Sequence, residues 1–195
     1  MLFRSVLRYF LLSGHYRSTI DYSVQHISDV QSALHRFYTC LKKAEEAAQL
    51  SGVTTARPTP EEDKVTEFGK AFESNWKVAM DEDFNTAKVI GLVFEYVRLM
   101  NAYIDKKGFK ASSLTASICQ EFLANFKRLS QVLNIFGENP SGFLTQLKTI
   151  VLEDKGIDPK EIESKILQRT EARLKKDFVT SDAIRNELLS KGIEL

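Results

Sequence analysis

Cysteine, proline and glycine are all scarce in this 195-residue sequence, and each scarcity excludes a class of protein. The two cysteines, Cys40 and Cys119, are too few and too far apart for a disulfide framework, which fits a reducing compartment. Four prolines and nine glycines argue against a turn-rich all-β fold. No apolar run approaches the roughly 18 residues that would predict a membrane-spanning helix. With 43% hydrophobic residues, the composition is that of an ordinary globular protein rather than a disordered one.

The motifs that usually carry catalysis or metal binding are also missing. Neither the G-x-x-x-x-G-K-[ST] nor the G-x-G-x-x-G phosphate-binding pattern occurs, and no serine lies in a nucleophile-elbow motif. The two cysteines and the three histidines form no C-x-x-C, H-x-x-H or H-E-x-x-H spacing. The sequence therefore predicts no catalytic residue and no metal site in this chain.

Charge is balanced over the whole chain but not along it. The net charge of the whole chain is +1. By segment, the net charge is +4 for residues 1–43, −6 for residues 44–85, +3 for residues 86–155 and zero for residues 156–195. The acidic segment would repel a polyanion. A nucleic-acid partner is therefore expected to meet the flanking segments through a local basic surface.

What is present is helical periodicity along nearly the whole chain. Ser23 and the Thr59-Pro60 pair are typical helix starts, Thr86 is the predicted cap of a further helix, and Gly137 is the predicted left-handed residue after another. One core is expected to contain Phe68, Phe72, Trp76, Phe94, Val97, Phe122 and Leu129. The predicted helices cover about 2–13, 23–49, 60–80, 86–104, 113–135, 142–154, 159–175 and 179–190.

The predicted fold is mainly α, with three parts. Residues 1–22 form a short lead-in of helix and extended chain, and residues 23–155 form an antiparallel helical bundle. Residues 156–195 form a small α+β module in which a strand begins at Ile193.

Three short segments have residue types suited to ligand contact, and each has a structural alternative. Arg17 could grip a phosphate, or the Tyr16-Arg17 pair could simply end a helix with a buried ring and a cation. The acidic run 81–83 could bind a cation, although an acidic turn before a capped helix is the simpler interpretation. The C-terminal cations around Phe178 suit single-stranded nucleic acid, or Phe178 is a core ring between two helices.

Three blocks of the sequence resemble cysteinyl-tRNA synthetases in order and spacing. The first, VLRYFLLSGHYRS followed by IDYS, covers residues 6–23. The second, MDEDFNTA, covers residues 80–87 and departs from the family pattern in having Ala87 where proline is usual. The third, KDFVTSDAIR followed by KGI, covers residues 176–193.

This resemblance implies the C-terminal half of a class I synthetase, with an anticodon-binding bundle and an anticodon-recognition module. The family's zinc and ATP belong to a preceding Rossmann domain with His-Ile-Gly-His and Lys-Met-Ser-Lys-Ser motifs, neither of which occurs here. No cofactor is therefore expected in this chain, which is expected to be inactive alone. Family members also continue beyond the position of Leu195.

By position, the family's anticodon-reading residues fall on Arg173, Phe178 and Asp182, and Arg17 would contact the tRNA body. Phe178 stands where relatives commonly have tryptophan, so its stacking face is smaller. The implied partner is the cysteine tRNA, with no DNA or membrane, and the implied state is a cytoplasmic monomer. Two alternatives stay open: a helical protein-interaction module without an RNA role, and part of a cysteine ligase of mycothiol synthesis.

Overall fold

The described part of the chain is helical, in agreement with the predicted fold class. The computed structural model describes residues 4–50, 58–154, 158–175 and 177–190, which contain eight α-helices and no β-strand. The expected strand at Ile193 lies outside these residues. The helices are α1 (Arg4–Leu12), α2 (Val24–Ala48), α3 (Pro60–Asp81), α4 (Thr86–Ile104), α5 (Thr115–Leu133), α6 (Pro140–Asp154), α7 (Pro159–Leu174) and α8 (Phe178–Ser190).

The chain divides into two compact units, residues 1–144 and 145–195. In the first unit, α3 packs against α4 and α5, α2 packs against α4 and α5, and α1 lies against α2 and α4. Aromatic rings fill the centre of this bundle: the Phe126 ring lies 4.9 Å from Phe37, 5.4 Å from Phe72 and 4.8 Å from Phe122. All four rings are at most 1% exposed, so burial of their aromatic surface stabilises the bundle.

Two predicted helix starts are confirmed. The Ser23 hydroxyl accepts a hydrogen bond from the His26 amide at 3.1 Å, which satisfies a free N–H group in the first turn of α2. Thr59 and Glu62 form a reciprocal capping box at the start of α3, with Pro60 at the first helical position.

The predicted capping residues at the start of α4 and at the end of α5 are wrong, and in both places the capping residue is an asparagine. The N-cap of α4 is Asn85, whose side chain accepts from the Lys88 amide at 3.0 Å, so Thr86 is already helical. Helix α5 ends at Leu133, and Asn134, not Gly137, adopts the left-handed conformation with φ 52°. Asparagine suits both positions because its short polar side chain caps amides and tolerates positive φ.

The predicted core is correct for Phe72, Trp76, Val97, Phe122 and Leu129, which are all buried. It is wrong for Phe68 and Phe94, which are only half-buried. The Phe94 ring lies at the edge of the bundle, where one face is covered by the Arg36 guanidinium 5.1 Å from its centroid. Helical spacing identifies the inner face of α4 but not the depth of each side chain on it.

The second unit contains the α7–α8 hairpin and has a small core of its own. Leu152, Ile162, Ile184 and Leu188 are buried together, and Ile166 packs against them. The core positions on α8 are four residues apart, so one face of that helix is buried and the opposite face is free for other contacts.

Candidate nucleic-acid interface

The start of α8 is fixed by Asp177. Its carboxylate accepts hydrogen bonds from the Thr180 amide at 3.1 Å and from the Thr180 hydroxyl at 2.7 Å. These bonds hold the pKa of the Asp177 carboxyl below its usual value. Because Asp177 caps α8, Phe178 becomes the first residue of the helix, one position earlier than predicted.

Phe178 lies on the surface of the hairpin. Its side chain is 61% exposed, so the alternative of a core ring between the two helices is wrong. Asp182 is also exposed and, four residues along α8, lies on the same face. Arg173 is exposed in the last turn of α7.

These three side chains offer complementary chemistry for an unpaired nucleotide. An exposed ring stacks on a base, a guanidinium pairs with phosphate or a base edge, and a carboxylate accepts from an amino or imino group. Their roles stay predictions, because exposure alone does not identify a ligand. Lys176, in the same cationic run, lies outside the described residues.

A second feature is a set of polar contacts between two sequence blocks, in which Tyr16 and Asp83 are 67 residues apart. Asp83 accepts a hydrogen bond from the Tyr16 hydroxyl at 2.7 Å and pairs with Arg17 at 3.2 Å, while His15 Nε2 lies 3.8 Å away. We call His15, Tyr16, Arg17 and Asp83 the Asp83 junction. Residues 15–17 and Asp83 lie in separate sequence blocks, and the sequence did not predict that they are in contact. The opposite charges of Arg17 and Asp83 are the only sequence signal for this contact.

The backbone around Asp83 is unusual. Asp83 and Phe84 have φ values of 55° and 51°, a left-handed conformation that is uncommon for residues other than glycine. Amide hydrogen bonds from Phe84 to Met80 (2.9 Å) and from Asn85 to Ala79 (3.1 Å) close this turn. The turn directs the Asp83 carboxylate toward residues 15–17, so it supports the N-terminal segment.

Arg17 keeps most of its surface free in this junction. Its side chain is 69% exposed and stacks over the Tyr16 ring at 5.4 Å, although one nitrogen pairs with Asp83. Tyr16 is itself 56% exposed, so the alternative of a buried ring is wrong. A guanidinium held on an aromatic face with free donors is suited to contact with phosphate.

The described residues do not fit a zinc site. No group of three or more His, Cys, Asp or Glu side chains among them could hold a metal ion. Within the acidic run, Glu82 pairs with Lys88 at 2.7 Å and Asp83 with Arg17, so these carboxylates have cationic partners. Burial raises the pKa of the Cys40 thiol to about 12 and that of the Cys119 thiol to about 11, so both are protonated core residues. None of the helices, over their described residues, is long and apolar enough to cross a membrane.

Comparison with known proteins agrees with the predicted resemblance. A family model described as a DALR domain matches residues 75–137, which begin in α3 and end just after α5. The chain is 38% identical over 190 residues to a cysteine–tRNA ligase of Syntrophotalea carbinolica. It is 35% identical to one of Desulfovibrio desulfuricans over 189 residues and 37% identical to one of Maridesulfovibrio salexigens over the same length.

These similarities extend over 97% of this chain but over only 38% of each relative's length. The resemblance inferred from the three sequence blocks is therefore confirmed: nearly the whole chain is similar to cysteine–tRNA ligases, and the part of them that it resembles is the C-terminal half.

Proposed function

We propose that this chain is a tRNA-binding part of a cysteine–tRNA ligase and that it binds the cysteine tRNA. The observation that carries the proposal is the exposed Phe178 ring at the start of α8, with Arg173 and Asp182 also exposed on the same hairpin. An apolar ring of this size on a helix end gains little from solvent exposure, whereas it would gain from stacking on a base.

Each residue of the hairpin has a separate proposed role. Phe178 stacks on an anticodon base, and Arg173 donates to a phosphate or to a base edge. Asp182 accepts from a base amino or imino group, which gives discrimination between bases rather than affinity alone.

Arg17 is proposed to contact the tRNA body. Its free donors would pair with a backbone phosphate, which carries no sequence information, so this contact would contribute equally to all tRNAs. The Asp83 junction supports the proposal because it fixes Arg17 and the two residues before it.

Ligation of cysteine is proposed for the longer enzyme and not for this chain alone. The zinc and ATP of the family's reaction would belong to the part of the relatives that this chain does not match. We expect the purified 195-residue protein to show no cysteine-dependent pyrophosphate exchange and to contain no stoichiometric zinc. Exchange activity in this protein would contradict the proposal.

Neither alternative function is favoured by a specific observation. A protein-interaction module would need no exposed base-stacking residue beside a carboxylate acceptor, and a cysteine ligase of mycothiol synthesis would read no anticodon. We further propose that the chain is monomeric and cytoplasmic, the latter supported by its two free, buried cysteines.

A direct binding titration tests the proposal. We expect labelled cysteine tRNA to bind the chain more tightly than a DNA duplex of equal length at the same salt concentration. Arg17→Ala should weaken binding of every tRNA by a similar factor, because a phosphate contact is not selective. The proposal fails if the chain binds neither the tRNA nor the DNA duplex, or if it binds both with the same affinity.

A further inference from the structure

A surface cleft between α2 and α4 has no role in the function proposed above. It has a volume of about 450 Å³ and is lined by Arg36, Gly91, Phe94, Glu95, Val97, Arg98 and Asn101. Arg36 comes from α2 and the other lining residues from α4. Two arginines and one carboxylate give its side chains a net charge of +1.

Arg36 is the cation in this cleft that is free to bind. Its guanidinium is exposed and lies 5.1 Å from the centroid of the Phe94 ring. The Phe94 ring is in turn held edge-on by Tyr9 at 6.1 Å. None of the ion pairs found between described residues uses Arg36, so its donors are oriented by stacking and not occupied by a carboxylate.

The carboxylate in the cleft is already neutralised. Glu95 accepts from Arg98 through both oxygens, at 3.0 Å from Nε and 2.6 Å from Nη2. This bidentate pair uses one edge of the Arg98 guanidinium and leaves its remaining N–H groups available. Repulsion between Glu95 and an incoming anion is therefore reduced.

Gly91 keeps one side of the cleft open. It lies in the interior of α4, is exposed, and a Cβ built on it would meet no atom within 4 Å. Alanine would fit there and would be a better helix former, so neither packing nor backbone conformation requires glycine. What a glycine provides at such a position is close approach of a ligand to the helix backbone.

From these observations we propose that the cleft between Arg36 and Gly91 binds a phosphate group, and that in this protein the phosphate belongs to the tRNA backbone. The group would sit over Gly91 and accept from the Arg36 guanidinium. This inference rests on the proposed tRNA binding for the source of the phosphate, but the site is separate from the α7–α8 hairpin and from Arg17.

Two variants alter the cleft in different ways. Arg36→Ala removes the free cation, whereas Gly91→Glu adds a carboxylate at a position where a Cβ meets no atom within 4 Å. Lys42→Ala removes an exposed cation elsewhere on α2, and Gln131→Glu adds one negative charge on α5. These serve as charge-matched controls, and circular dichroism of all four variants checks that they are folded.

The first measurement is a titration of labelled cysteine tRNA at two salt concentrations. We expect Arg36→Ala and Gly91→Glu each to weaken binding roughly threefold to tenfold, and Arg36→Ala to reduce the steepness of the salt dependence by about one phosphate. The two controls should bind within about twofold of the wild type, since nonspecific charge effects are screened. If both cleft variants bind tRNA no more weakly than their controls, the inference is overturned.

A second measurement separates this inference from the proposed function. If the wild-type chain binds no tRNA, the proposed function fails and inorganic pyrophosphate becomes the probe. The cleft then predicts a saturable shift of the Arg36 side-chain N–H resonance that is lost in Gly91→Glu. If the resonance shifts, the cleft is a phosphate site but the phosphate comes from another ligand than tRNA. If it does not shift, the inferred phosphate site fails together with the proposed function.

Discussion

At the scale of single residues, Glu62 shows how a charged group is accommodated inside the bundle. It is 2% exposed, and its carboxylate accepts from the Thr59 amide at 2.7 Å and from the hydroxyls of Ser112 and Tyr103. Burial acts to raise the pKa of the Glu62 carboxyl, but the accepted hydrogen bonds outweigh it and hold the pKa below its usual value. The group is therefore ionised when folded and links α3 to the segment before α5.

This arrangement predicts how stability depends on pH. Because the folded-state pKa of Glu62 is lowered, its contribution is fully present above the unfolded-state pKa and is lost as pH falls through the folded-state pKa. Glu62→Gln should lower the free energy of unfolding at about pH 7 by roughly 1–3 kcal/mol, since the hydroxyls lose a charged acceptor. Chemical denaturation at neutral and acidic pH measures this. If the free energies of unfolding of the wild type and the variant differ by the same amount at both pH values, Glu62 is not ionised in the folded protein.

Phe178 is expected to contribute to binding but not to stability. Phe178→Ala should weaken tRNA binding by about 1–3 kcal/mol through lost stacking, and Phe178→Trp should strengthen it. Because the ring is 61% exposed, neither change should alter the unfolding midpoint appreciably. Leu174→Ala, at a position 80% exposed in α7, is the control. Equal affinities for the Phe, Ala and Trp proteins would exclude stacking at this position.

At the scale of helices, two glycines in neighbouring helices have opposite roles. A Cβ at Gly69 in α3 would clash with the Tyr96 hydroxyl, and Tyr96 is 1% exposed and held among aromatic rings. A Cβ at Gly91 in α4 would meet nothing. Gly69 therefore permits α3 and α4 to pack closely, whereas Gly91 has no packing role.

The two alanine substitutions should consequently have opposite signs. Gly69→Ala should destabilise the protein by about 1–3 kcal/mol, because the buried Tyr96 ring has to move. Gly91→Ala should stabilise it by about 0.5–1 kcal/mol through helix propensity alone. Denaturation midpoints of the two variants measure the difference. Destabilisation by Gly91→Ala would show that this position is more constrained than the open space around it indicates.

Helix starts were predictable from sequence where one side chain decides them. The Ser23 and Thr59 hydroxyls each accept from an amide three residues away, so their role depends on local spacing only. The end of α5 was not predictable in the same way, because Asn134 and Gly137 can both adopt positive φ and the choice depends on how the chain then packs Ile135 and Phe136. The half-burial of Phe94 likewise depends on Arg36, which comes from another helix.

At the scale of the whole molecule, the sequence motifs identified the family and the hairpin but not the contact between motifs. The blocks containing Arg17 and Asp83 each resemble the family separately, and their ion pair requires the bundle to bring α1 and α4 together. The cleft at Gly91 was missed for the same reason, since Arg36 and Phe94 are 58 residues apart. Local sequence patterns predict individual helices. A site formed between two helices can be located only when the packing of those helices is known.

A net charge of +1 sets the expected character of RNA binding. The acidic segment 44–85 opposes general attraction to a polyanion, so affinity should come from a few defined contacts and not from a strong field. Few phosphate contacts give a shallow dependence of affinity on salt. Selectivity should then depend mainly on the base contacts proposed for the hairpin.

The most direct test of the account is a titration of cysteine tRNA and an anticodon-swapped tRNA against the wild type, Asp182→Ala and the control Glu163→Ala. The account predicts that the wild type and the control prefer the cysteine anticodon. Asp182→Ala should lose about 1–3 kcal/mol of binding to that anticodon and bind both tRNAs alike, because the base loses its carboxylate partner. Equal affinity of the wild type for both tRNAs, unchanged by Asp182→Ala, would contradict it.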